Sequence, residues 1–290
     1  MKYFNKSKGI QTSLLSFFSL ESNTSTEIAE SLKKIIEKDG LSFENITAYC
    51  ADNASINFGK NQSVFTELRK SNNELIAIGC NAHILHNTAK KACNTLKIDI
   101  ESVVIKIYNE FSSSTKRTAE LKDFFEWTDT EWAELLRHAP TRWLTLLPAV
   151  ERIISNFTPI KSYFMSQNSI APLLRLFFDD DLSLAYLGFV ANVCNSFQPA
   201  LTRLQSDEAL IVEMYEIMNN VRQSLNERKA EQFYGLIART EIQKCNNDEA
   251  IARFKIDTSI FFETTVNYLE KWFNFEDNKF SKLRPVRLLE

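Results

Sequence analysis

Glycine and proline are scarce, with 6 of each in 290 residues. Hairpins and tight turns depend on those two residues, so a turn-rich all-β protein is excluded. Cysteine is sparse too: five residues, at 50, 80, 93, 194 and 245, form an odd and scattered set with no disulfide framework. No apolar run approaches the roughly 20 residues needed to cross a bilayer. The opening stretch MKYFNKSKGIQT lacks the apolar centre of a secretory leader. A reducing compartment, nuclear or cytoplasmic, is expected, with no membrane partner. Neither sign of charge dominates: 34 basic and 37 acidic residues are mixed along the chain, for a net charge of −3. Nucleic-acid-binding domains gain affinity from a basic face that neutralises phosphates, and no such stripe is visible. The basic cluster Lys279, Lys282, Arg284 and Arg287 reads as a solvated tail, and Asp179-Asp180-Asp181 as a loop or helix cap.

What is present is apolar mass. Hydrophobic residues make up 44% of the chain, including 22 Phe, 8 Tyr and 4 Trp, enough for a substantial core. Residues 23–40, NTSTEIAESLKKIIEKDG, predict a helix. Thr24 or Ser25 caps it, Ile28, Leu32, Ile35 and Ile36 form its apolar face, and Gly40 stops it. A strand is expected over 44–51, a helix over 63–71, and a second, almost unbroken apolar strand over 74–82, as in a parallel sheet covered on both faces. Residues 9–20 are also compatible with a strand. Beyond about residue 95 strand signals stop and helical periodicity takes over, for example Ile100, Val103, Val104, Ile107 and Phe111. The expected fold class is α/β plus all-α, with an α/β region over 1–95 and a helical region over 96–290. Phe124, Phe125, Trp127, Trp132, Phe177 and Phe178 are expected to pack in the core.

Three short constellations carry potential chemistry. Asp52 immediately follows the first predicted parallel strand. Open α/β sheets gather their chemistry at that carboxyl edge, and a carboxylate there can hold a hard cation such as Mg²⁺ or simply cap the next turn. Cys80, His83 and His86 read C-x2-H-x2-H. Helical spacing would set them near one face, but structural zinc takes four ligands and no second Cys/His cluster lies nearby. A Cys–His nucleophilic pair lacks an orienting Asn or Asp at a suitable spacing. Thr141-Arg142-Trp143 opens a helix. Trp143 either anchors the core or, with Arg142, offers a cation and a stacking surface to DNA.

Taken in order, CADNASINFGKN, IAIGCNAHILHNTAKKA and HAPTRWLTLLPAVERIISNFTPIKSYFMSQ resemble the catalytic region of hAT-type transposases, nearest to domesticated, transposase-derived proteins. IESVVIKIYNEFSSSTKRTAELKDFF and YLGFVANVCNSFQPALTRLQ extend the likeness over most of residues 2–240. The resemblance implies an RNase H-like fold interrupted by a helical insertion. It also implies a site of two Asp and one Glu that binds two divalent ions, Mg²⁺ or Mn²⁺, for DNA strand cleavage and transfer. The second of these acids corresponds to Asp52, the C-x2-H element to Cys80 and His83, and the Arg-Trp element, with its DNA-contacting Trp, to Arg142 and Trp143.

Two acids of that set have no counterpart. The strand bearing the first Asp would precede the opening segment, and no equivalent of the Glu is evident; Glu263 and Glu270 read as surface charges on an amphipathic helix. The expectation is therefore a truncated, domesticated relic, catalytically inactive, with no cofactor unless a complete acidic triad is restored. Its residual roles would be protein interaction, at a sheet edge left exposed by the absent strand, or nucleic-acid contact. No small-molecule substrate is implied. The rival expectation is an active transposase represented by an incomplete gene model.

Overall fold

The computed structural model describes residues 1–139, 145–206 and 211–276. The described chain is predominantly helical with four short strands, and it divides into two units, Met1–Ile84 with 204–210, and 85–203 with 211–290.

The first unit opens with an antiparallel hairpin of β1 (Lys2–Asn5) and β2 (Gly9–Thr12), paired Asn5 to Gly9 through Lys2 to Thr12. The Asn5 side chain accepts the N–H groups of Ser7 and Lys8, and Gly9 takes φ +70°, the left-handed position that closes a three-residue hairpin loop. The sequence suggested one strand over 9–20. Only Gly9–Thr12 forms one, because residues 13–20 find no strand partner, while β1 carries too weak an apolar pattern to be foreseen.

Helix α1 (Ser25–Lys38) follows, its start capped by Thr24 Oγ1, which accepts the Glu27 N–H, and its end marked by Gly40 at φ +74°. A 3₁₀ turn at Phe43–Asn45 leads into β3 (Ala48–Ala51). A parallel partner requires a crossover. Here it is made by α2 (Ser55–Phe58) and α3 (Val64–Arg69), the latter closed at its start by a reciprocal Ser63–Thr66 capping box. The chain then returns as β4 (Ile76–Gly79), paired from Ala48–Ile76 to Ala51–Gly79. The buried Asn72 ties this turnaround together: its Nδ2 donates to the carbonyls of Phe43, Glu44 and Ile46, the last at 2.9 Å, and its Oδ1 accepts the Glu74 N–H. The unit's core is small, with Ala29, Phe43, Val64, Leu68 and Leu75 buried and Ile28, Leu32, Ile36 and Tyr49 only partly covered. Among the described residues β1–β2 and β3–β4 are separate two-stranded sheets.

The second unit is helical. Helix α4 (Asn81–Cys93) enters it from β4 and is followed by α5 (Ile100–Ser112), α6 (Thr115–Trp127), α7 (Leu146–Ser155), α8 (Phe157–Ser166) and α9 (Pro172–Asp179). Then come α10 (Ser183–Gln205), α11 (Ile211–Ala230), α12 (Leu236–Lys244) and α13 (Asp248–Trp272). The predicted face of α5 is buried as expected. Two aromatic clusters fill the interior. Phe111, Tyr163, Phe164 and Phe178 meet with centroids 4.9 to 5.7 Å apart, and Phe189 is surrounded by Phe254, Phe261 and Phe262 at 5.0 to 6.1 Å. Phe125, Phe177 and Phe178 are buried as the sequence suggested, but Trp127 is 76% exposed, touching Phe124 by an edge. It stands at the last residue of α6, where the helix stops, and residues 130–139 are not helical although they fall within the region expected to be helical, 96–290. No described helix is long and apolar enough to cross a membrane.

Candidate functional site

The carboxyl end of the β3–β4 pair gathers most of the polar residues singled out in the sequence. Asp52 is the first residue beyond β3. Its Oδ1 accepts the Ala54 N–H at 3.0 Å, an Asx turn that reverses the chain into α2, and the Asn57 side-chain N–H at 2.8 Å. Asn57 in turn accepts the Tyr49 hydroxyl at 2.8 Å, so a hydrogen-bonded chain runs Tyr49–Asn57–Asp52. The Ala54 N–H, then Asn57, and more weakly the nearby His83 favour the ionised carboxylate and hold the Asp52 pKa below its ordinary value. Burial, with the neighbouring Asp52 and Cys50 adding to it, pushes the Tyr49 hydroxyl up to about 12. Oδ2 of Asp52 accepts no hydrogen bond among the described residues.

Cys80 follows β4, its N–H bonded to the Ala51 carbonyl at 2.9 Å and its own carbonyl accepting Ile84 N–H and Asn53 Nδ2. It therefore precedes α4, so only His83 and His86 share the helix and the three-residue set does not lie on one helical face. His83 is exposed on the first turn of α4. A side chain at Gly79 would collide with Asn53 Oδ1, so this glycine lets Asn53 reach across from the end of β3 to the end of β4. Asp52, Cys80 and His83 thus share one edge, while Arg142 and Trp143 lie outside the described residues. Among the described residues no group of three His, Cys, Asp or Glu side chains comes together to hold a metal ion. A two-ion centre does not fit this edge with Asp52 as its anchoring carboxylate alone, since Mg²⁺ needs several anionic oxygens to be positioned.

Sequence reasoning missed Asn57 and Tyr49. Asn57 is five residues from Asp52, a spacing that matches neither helix nor strand and becomes a contact only through the Asx turn. It also missed a second polar cluster, in the helical unit. There the buried His138 pairs through Nε2 with Glu101 Oε1 at 3.0 Å and through Nδ1 with Thr145 Oγ1 at 2.9 Å. The Ala139 N–H donates to the same hydroxyl at 2.9 Å, and Lys90 Nζ lies 3.6 Å from Glu101. A single His on an otherwise ordinary stretch gave no signal. Its partners are 37 residues before it and 7 after it.

A parallel strand pair with polar side chains at its carboxyl end, joined to a large helical region, defines the general class: an α/β edge attached to a helical bundle. Residues 82–230 match the family model of the FAM200/GTF2IRD2 helical domain, and the chain belongs to that family. The family is related to hAT transposase-derived proteins. No curated protein and no solved structure matches the chain.

Proposed function

We propose that this chain is a hAT transposase-derived protein in which residues 1–95 are part of an RNase H-like region and residues 96–290 hold its helical insertion, and that by itself it binds without cutting DNA. What supports this is Asp52. It stands at the strand end where such folds gather their acids, in a chain of transposase-related family, and it is the one residue of the acidic triad that the sequence matches. Strand cleavage by paired divalent ions needs several carboxylates around them. Asp52 instead supports a turn, with Oδ1 engaged by Ala54 and Asn57. The remaining role is contact with nucleic acid or protein, with Arg142 and Trp143 the candidates for DNA and the nucleus the fitting compartment.

A second reading has its own support: Asp52 is held ionised and its Oδ2 faces no donor among the described residues, as an ion-binding carboxylate would require. If two further acids reached it, this would be an active transposase. Both readings are separated by incubating the 290-residue chain with labelled duplex oligonucleotides and Mn²⁺ or Mg²⁺. The expected result is no nicking or end joining, with Asp52→Ala indistinguishable from the parent. Cleavage that Asp52→Ala abolishes would establish the second reading. In a gel shift, Arg142→Ala with Trp143→Ala is expected to weaken retention of DNA at least several-fold; unchanged retention removes those residues from the interface.

A further inference from the structure

The turn between α11 and α12 forms a small cavity with α13. Helix α11 closes on a left-handed residue, Gln232 at φ +49°, whose N–H bonds the Lys229 carbonyl at 3.3 Å, while Phe233 N–H bonds the Arg228 carbonyl at 2.9 Å. The reversal brings Tyr234 against α13, with its ring 5.3 Å from that of Phe254. The cavity measures about 330 Å³ and is lined by the buried Tyr234 and Phe262, and by Lys229, Gln232, Lys255 and Ser259. No Asp or Glu lines it, and neither lysine Nζ makes an ion pair or hydrogen bond among the described residues, although Lys229 is half-buried. Nearby acids are engaged elsewhere: Glu227 accepts the Gln223 amide at 2.8 Å and Asp257 the Tyr186 hydroxyl at 2.7 Å. Gln232 Oε1 is taken by the Tyr234 hydroxyl at 3.3 Å, which leaves its Nε2 as a donor.

We infer that this cavity binds a phosphomonoester, its dianionic head held by Lys229 and Lys255 and its organic part set against Tyr234 and Phe262. Two ammonium groups with no carboxylate between them are balanced by two negative charges. A phosphomonoester carries nearly two at neutral pH, whereas a carboxylate or a phosphodiester carries one. Lysine meets phosphate as a point charge and needs no forked geometry. The apolar lining favours an attached carbon skeleton, and the volume, near the lower end of small-molecule sites, keeps that skeleton small. The phosphomonoester is either a free small molecule or the 5′ end of a nucleic acid. Asp52, Arg142 and Trp143 take no part, so the outcome is independent of the transposase reading.

The probe is phenyl phosphate, titrated by calorimetry into the 290-residue chain at about pH 8, above the second phosphate pKa of about 6. Saturable binding is expected. Lys229 and Lys255 should be acetylated at least about fivefold more slowly in the complex, because the bound phosphate holds their protons; peptide mapping reads this against the exposed Lys38 of α1. Inorganic phosphate, which lacks the apolar body, and benzyl alcohol, which lacks the charge, should each bind at least about tenfold more weakly. Lys229→Gln and Lys255→Gln should each weaken phenyl phosphate about tenfold with an unchanged melting temperature. Ser259→Phe, at an exposed position of α13, should abolish binding without removing either charge. Absence of saturable binding, equal binding of inorganic phosphate, or unaltered affinity in both lysine variants overturns the inference, and the first two require no variant to fold. A 5′-phosphorylated oligonucleotide that displaces phenyl phosphate, while its unphosphorylated form does not, identifies a nucleic-acid end as the source. Displacement by neither identifies a free phosphomonoester. Displacement by both means that backbone diesters fill the site, which overturns the match to a dianion.

Discussion

Asp52 shows what a single position reveals and what it hides. An acid directly after an apolar strand was visible as a candidate because strands of parallel sheets end where loops converge. Its hydrogen-bond partners were not visible, because Asn57 reaches it only once the Asx turn has folded the chain back. The contact has a titration consequence. Ala54 N–H and the Asn57 amide favour the ionised form, so the native pKa lies below the ordinary carboxylate value. A depressed native pKa contributes stability above the unfolded pKa, and that stability is lost as pH falls through the native one. Asn57→Ala removes the second of these causes while keeping the first. The Asp52 carboxyl midpoint, followed by carbon NMR, is therefore expected to rise toward the ordinary value without reaching it, and the acid limb of the stability curve should begin at higher pH. An unmoved midpoint would mean that the Ala54 N–H alone holds the charge.

At the scale of elements, long periodic segments were readable and their meeting points were not. Helix α1 declared its cap, its apolar stripe and its stop in sequence, and all three appear in place. Helix α10 falls within the region expected to be helical, but its sequence offered no reason for Gly188. That residue sits where α10 meets the start of α12, and a Cβ on it would lie 2.7 Å from Cβ and Cγ2 of Ile237. A β-branched side chain cannot swing its Cβ aside, so the two helices would have to separate. Alanine gains about 1 kcal/mol of helix propensity over glycine, whereas overpacking costs about 1–3 kcal/mol. Gly188→Ala is therefore expected to destabilise by up to about 2 kcal/mol in urea denaturation, opposite to the sign that propensity alone predicts. Ile237→Ala removes Cγ2 but leaves its Cβ at the same 2.7 Å, so combined with Gly188→Ala it should recover only part of the loss; a stabilised single variant would show that the helices yield freely. Failures at this scale share a cause. The helical character expected throughout 96–290 is broken after the helix end at Trp127, and residues 9–20 carried strand character without a partner to realise it. Both depend on tertiary neighbours that a local pattern does not contain.

Across the whole chain the two units differ in how much they bury. The first rests on a cluster of five buried apolar residues with a half-covered rim, whereas the second holds two aromatic clusters and most of the fully buried Phe side chains. Small units remove a smaller fraction of their surface from water and are correspondingly marginal. The division between an α/β start and a helical remainder was readable from where strand signals cease. The difference in core quality was not, since composition is apolar in both parts. It yields a measurable ordering because all four tryptophans, at 127, 132, 143 and 272, fall in the second unit. Tryptophan fluorescence then reports that unit alone, and amide exchange at Ile76–Gly79 reports the first. With increasing urea the β4 amides are expected to lose protection while the tryptophan signal is still native. Coincident transitions would show one cooperative structure.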